Sequence, residues 1–172
     1  VFEALTVLQN LQLVLQAKRG VSVRDILDHC ALDEAWHWIR HAGLMDLGKE
    51  MLQGPAAHLS YGDKKRLELA MAMAGLPNAS EGLMLLDEPA AGLSPGERAD
   101  MMQRVKNLSQ KGTAVLYTEH NMDAVFGVAD RVLVLIEGQL VAQGSPEEVA
   151  ANEIVRERYL GQAFSFHQGA VH

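Results

Sequence analysis

Leu83-Met84-Leu85-Leu86-Asp87-Glu88-Pro89 is the stretch that decides the fold of this chain. Four apolar residues followed by two carboxylates and a proline read as a short buried strand that ends in charge. Adjacent carboxylates at such an end are costly unless a cation neutralises them, and Mg²⁺ on a nucleotide phosphate is the usual partner. The end of a parallel strand is also where α/β folds hold their ligands. Pro89 makes the chain leave the strand, which helps present both side chains.

Working outward, residues 114–118 and 132–136 are further apolar runs of strand length, with helical patterns at 96–110 and 122–128 between the strand candidates. That alternation predicts a parallel sheet with crossover helices. Residues 139–143 are expected to pair after a turn at Glu137-Gly138. Ser145-Pro146-Glu147-Glu148 starts a helix with proline at its first position. Upstream the pattern is helical, over 6–16, 21–29 and 32–42, with Gly43 a stop. One more helix opens at Ser60. Ser60 and Asp63 fit an S-x-x-[DE] start, and Leu67, Ala70, Met71 and Ala74 form one apolar face. The expected organisation is a helical subdomain over 1–75, half of an α/β core over 76–161 and a flexible tail over 162–172.

Composition narrows the function. A chain of 172 residues can bury one sizeable core. A net charge of −7 argues against a surface that tracks nucleic-acid phosphates or docks directly on anionic lipid. No apolar run approaches membrane-spanning length, so any membrane attachment is expected through a protein partner. A single cysteine, Cys30, excludes an intramolecular disulfide and fits a reducing compartment.

Two segments flank the acidic strand end, Leu59-Ser60-Tyr61-Gly62-Asp63 upstream and Tyr117-Thr118-Glu119-His120 downstream. Ser60 reads as an N-cap. The helix start behind it also favours anions, and Gly62 allows a phosphate to approach the backbone closely. With Ala91-Gly92-Leu93-Ser94-Pro95, these segments resemble the ATP-binding subunits of ABC transporters. Within that family the closest likeness is to ATPases of branched-chain amino acid importers, carried by Leu5-Thr6-Val7, 59–63, 87–94 and the ending Tyr159-Leu160-Gly161.

The resemblance implies a partial P-loop NTPase core of α/β class, with parallel strands and crossover helices, joined to a helical signature subdomain. It implies ATP and Mg²⁺ as ligands. Asp87 would hold Mg²⁺, and Glu88 would orient or deprotonate the attacking water. His120 would contact the γ-phosphate. Ser60, Tyr61, Gly62, Asp63 and Ser94 would meet nucleotide across a dimer of two such subunits. The family commonly has glycine where Tyr61 stands, Gln at Asp63 and Asp at Ser94. Transmembrane permease subunits are the implied partners, which would place the protein at the cytoplasmic face of the membrane without insertion. Import of urea or amides is an alternative to amino acids. Chromosome-maintenance and DNA-repair ATPases share these motifs but carry long heptad arms, and none occurs here.

The sequence contains no G-x-x-x-x-G-K-[ST], and Val1–Val7 resembles the residues just after the family's Gln-containing loop. The chain is therefore expected to be the C-terminal part of a longer ATPase, negligibly active or only partner-binding by itself. Other features read as ordinary. His37 and His41, spaced i, i+4, are partly exposed helix histidines. Trp36 and Trp38 are core or subunit-contact residues, and Lys64, Lys65 and Arg66 form a solvated helix face. The 76–82 connection is a lengthened surface loop.

Overall fold

The computed structural model describes residues 1–20, 32–76 and 82–160. The helix expected over 21–29, most of the 76–82 connection and the 162–172 tail lie outside the described residues.

The first helix, α1 (Val7–Arg19), starts where Thr6 and Gln9 form a reciprocal capping box and stops at Gly20, which takes a left-handed φ of 69°. Asn10, wholly buried, accepts from the Phe2 amide at 2.8 Å and donates to the Phe2 and Thr6 carbonyls, so the N-terminal turn is folded back onto α1. Helix α2 (Leu32–His41) has acids in its first turn and bases in its last, in line with the helix dipole. Gly43 follows at φ 69°, the expected stop, and the Arg104 guanidinium occupies the space where a Cβ would stand. Residues 44–59, for which the sequence suggested no element, form a 3₁₀ turn (Met45–Leu47), the short helix α3 (Gly48–Gln53) and a second 3₁₀ turn (Ala56–His58).

Helix α4 (Tyr61–Gly75) divides two cores. Leu67, Ala70 and Ala74 join Val7, Leu11, Leu15, Ile39 and Leu44 on one side. Leu69 and Met73 join Met84, Leu93, Met101 and Met102 on the other. A helix apolar on two sides is a wall between layers rather than a surface helix. Arg66 on α4 is not free in solvent. It bridges Asp63 at 3.4 Å and Asp100 at 3.3 Å.

Strands β1 (Leu83–Asp87) and β2 (Ala114–Thr118) pair in parallel, in register from Leu83 opposite Ala114 to Asp87 opposite Thr118. The crossover is α5 (Pro95–Gln110), opened by a Ser94–Glu97 capping box with proline at its start. A short α6 (Met122–Phe126) follows β2. Strands β3 (Val132–Ile136) and β4 (Gln139–Gly144) form an antiparallel hairpin. Its turn, Glu137 at φ 51° and Gly138 at φ 77°, has the two left-handed residues that a tight hairpin demands. Helices α7 (Pro146–Ala151) and α8 (Glu153–Val155) close a third small core around Phe126, Val132, Val149 and Val155.

One expectation needs correction. The strands do not form a single sheet among the described residues. They form two two-stranded sheets, β1–β2 and β3–β4. An apolar cleft of ≈ 940 Å³ separates β2 from β3, lined by Val115, Leu116, Val132 and Val134 among others.

Candidate functional site

The parallel register brings Asp87 beside Thr118, and the chemistry-bearing residues gather where both strands end. The Thr118 hydroxyl donates to Asp87 Oδ1 at 2.5 Å. One residue on, the Glu88 amide donates to the Thr118 carbonyl at 3.1 Å and reaches its hydroxyl oxygen at 3.2 Å. Glu88 has a φ of 43°, in the left-handed region that a residue with a Cβ seldom adopts. Its carbonyl accepts from the Ala91 amide at 3.2 Å, and the Ala90 amide donates to Glu119 Oε1 at 2.8 Å. His120 Nδ1 lies 3.6 Å from Glu88 Oε1, with both side chains open to solvent. Asp87, Glu88 and His120, singled out separately along the sequence, therefore converge. Thr118 and Glu119 were missed. Both lie in the Tyr117–His120 segment, but their bonds to the Glu88 and Ala90 amides follow from the β1–β2 register and not from local sequence.

The second group sits at two helix starts. Ser60 Oγ accepts from the Asp63 amide at 3.1 Å and donates to Asp63 Oδ2 at 2.6 Å, so the capping role is realised. Ser94 caps α5 in the same way, and its hydroxyl and amide both donate to Glu97 Oε2. Those bonds, hydroxyl first, hold the Glu97 carboxyl below the usual range, and nearby Arg66 adds to the effect. The two helix starts touch. A Cβ on Gly62 would collide with the Glu97 carboxylate and lie 3.7 Å from Leu93 Cδ2. A Cβ on Gly92, at φ 74°, would lie 2.9 Å from the Tyr61 ring. Gly92 is thus needed for its left-handed φ and its contact with Tyr61, while a Cβ on Gly62 would displace the Glu97 carboxylate. The loop from Pro89 to Ser94 ties the 60–63 turn to the strand ends.

The donor set can be tested against the implied Mg²⁺. Among the described residues no three His, Cys, Asp or Glu side chains gather as a protein-only metal centre. Mg²⁺ normally takes one or two carboxylates together with substrate phosphates and water. One exposed carboxylate, Asp87, at a strand end fits an ion that arrives with its nucleotide. A small cleft of ≈ 230 Å³ lies beside it, between α4 and β1, with Lys65, Glu68 and Pro89 in its wall.

The chain is similar to several known proteins. The ABC transporter family matches residues 1–91. The high-affinity branched-chain amino acid transport ATP-binding protein LivG of Salmonella typhimurium is 38% identical over 134 residues, 77% of this chain and 49% of LivG. The corresponding BraF of Pseudomonas aeruginosa is 35% identical over the same share of each. The chain thus spans about half the length of the curated relatives it matches. The ADP conformation of MJ1267, an ATP-binding cassette of an ABC transporter, superposes with a TM-score of 0.72 at 28% identity, over 94% of this chain and 65% of that one.

Proposed function

Because the chain belongs to the ABC transporter family, we propose that it is part of the ATP-binding and ATP-hydrolysing subunit of an importer for branched-chain amino acids or a related small polar solute. One observation carries the reading. A carboxylate pair and a histidine, far apart in sequence, meet at the ends of two parallel strands, with a capped helix start tied to the same loop. Similarity to LivG and BraF supports the solute class.

In this reading water attacks the γ-phosphorus of ATP in line, and ADP and phosphate leave. The protein's contribution is positioning and charge. Asp87 would hold Mg²⁺, which neutralises phosphate charge when bound. Glu88 orients the water or takes its proton. His120, beside Glu88, meets the γ-phosphate side. Ser60, Tyr61, Gly62, Asp63 and Ser94 face the nucleotide of a second ATPase subunit, homologous or identical. Permease subunits carry the membrane crossing, and the pair sits at their cytoplasmic face. No described helix is long and apolar enough to cross a membrane itself.

Glu88→Gln in the full-length protein tests this. The amide keeps shape and hydrogen-bonding capacity but is no base, so kcat for Mg-ATP hydrolysis should fall about 100-fold or more. ATP affinity should stay the same, and ATP-bound dimers should accumulate in sedimentation. Near wild-type turnover in this variant would remove Glu88 from the mechanism.

A further inference from the structure

Resting on the ATPase reading above, we infer that Thr118 and Glu119 are positioning residues that clamp Glu88 in its left-handed conformation from the end of β2. Two described non-glycine residues have a positive φ, Glu88 and Glu137. Glu137 lies in the tight β3–β4 turn, where the turn type itself requires that conformation. Glu88 has no such turn. It follows a strand directly, and a glutamate there gains nothing from its own side chain to offset the left-handed backbone. Such an outlier persists only where surrounding contacts over-determine it.

The contacts come from three successive residues of one neighbour. Thr118 holds the Glu88 amide through both its carbonyl (3.1 Å) and its hydroxyl oxygen (3.2 Å), while the hydroxyl proton goes to Asp87. Glu119 holds the Ala90 amide at 2.8 Å. His120 stands 3.6 Å from the Glu88 carboxylate. Ala90 is buried, so its amide needs a protein partner, and the Glu119 carboxylate supplies a charged one. Between these anchors lie only Glu88 and Pro89, and Pro89 has a fixed φ. With both ends fastened, the backbone of Glu88 cannot relax toward negative φ without breaking a bond to a buried amide. Relaxation would swing its carboxylate away from His120 and from the phosphate side. Glu119 itself touches no reacting atom. It acts on the main chain, which separates its role from that of Glu88.

The clamp is testable in the full-length protein with Glu119→Ala and Glu119→Gln. Glutamine keeps an acceptor oxygen for the Ala90 amide and alanine does not. Alanine should lower kcat about tenfold or more with KM for ATP changed less than about twofold, and glutamine should recover most of the loss. Hydrogen exchange at the Ala90 amide should speed up in the alanine variant and stay near wild type in the glutamine one. An alanine variant with wild-type kcat and Ala90 protection would overturn the clamp. So would a glutamine variant as slow as alanine, because the charge and not the bond would then matter. Should wild type itself fail to hydrolyse ATP, the ATPase reading falls, and Ala90 exchange alone decides the clamp. If Glu119→Ala does not fold, Thr118→Val against Thr118→Ser gives the same decision. Valine should be the slower of the two, and equal rates would overturn the proposal.

Discussion

The helical region and the sheet region are made from similar residues and are covered very differently. In the first, Leu11, Leu67 and Ile39 have no exposed surface, because α1, α2 and α4 close around them. In the second, inward residues such as Met84 pack on α4 and α5, while their strand neighbours Leu83, Leu85, Leu116, Leu133 and Leu135 stand open. Leu85 is 67% exposed. Parallel strands are normally covered on both faces. The contrast teaches that, among the described residues, the helical core is complete whereas the strands have helices on one face only. The site lies on the half-covered side and is fastened to the complete one through Tyr61 against Gly92 and Arg66 to Asp100.

The largest expected effect comes from truncating one leucine in each region of the 172-residue chain. Leu67→Ala leaves a cavity in a sealed core and should cost about 2–5 kcal/mol in urea unfolding. Leu85→Ala removes an exposed side chain and should stay within about 0.5 kcal/mol of wild type. Equal costs would break the comparison, since they would mean the leucine face is already covered in solution, for instance by a second copy.

A smaller effect sharpens it. Ser60 caps α4 beside the sealed core, and Ser94 caps α5 beside the open sheet. If the regions differ in burial and not in local helix chemistry, Ser60→Ala and Ser94→Ala should each cost about 1 kcal/mol. Chemical denaturation of both variants checks this. A much larger loss at one site would show that its cap also holds a tertiary contact, with Tyr61–Gly92 or Gly62–Glu97 as the first suspects.

This split also explains what could be seen in the sequence. Short apolar runs bounded by turn residues revealed β1, β2 and β3, and the Glu137-Gly138 turn revealed β4, because strand length and flanking chemistry are local. Start signals at Ser60 and Ser145 fixed two helix starts for the same reason, while the caps at Thr6 and Ser94 emerged only in the structure. Asp87, Glu88 and His120 were legible from residue type at strand ends. Partnering was not legible. Nothing local says that β2 and β3 stand apart, or that α4 is apolar on two sides because two cores meet on it. The 44–59 turns escaped because 3₁₀ segments lack a periodic stripe. Thr118 and Glu119 escaped because their work is done on another strand's backbone, which only the β1–β2 register reveals.

The smallest expected effect is a pH dependence confined to the sheet region. Tyr117 faces inward from β2, and its hydroxyl lies 3.5 Å from the Ala124 carbonyl. Burial, helped by the negative charges of Glu119 and Asp130, pushes its phenol up to about 12 from an ordinary value near 10. The folded state therefore holds this proton more tightly than the unfolded state. Its contribution is fully present below pH 10 and is lost as pH rises from about 10 through about 12. By pH 10 the loss should be only about 0.3 kcal/mol, because the unfolded phenol is then only half ionised and the partly solvated ring trims the effect further. Tyrosinate absorbance should show a late step absent from Tyr117→Phe, and hydrogen exchange in β1 and β2 should speed up over the same range. Exchange in α1 and α4 should respond less, since no tyrosine titrates inside that core. If Tyr117→Phe left the alkaline loosening of β2 unchanged, another group would be responsible. If α1 loosened in step with β2, the two regions would unfold as one unit, and the comparison would hold for burial but not for stability.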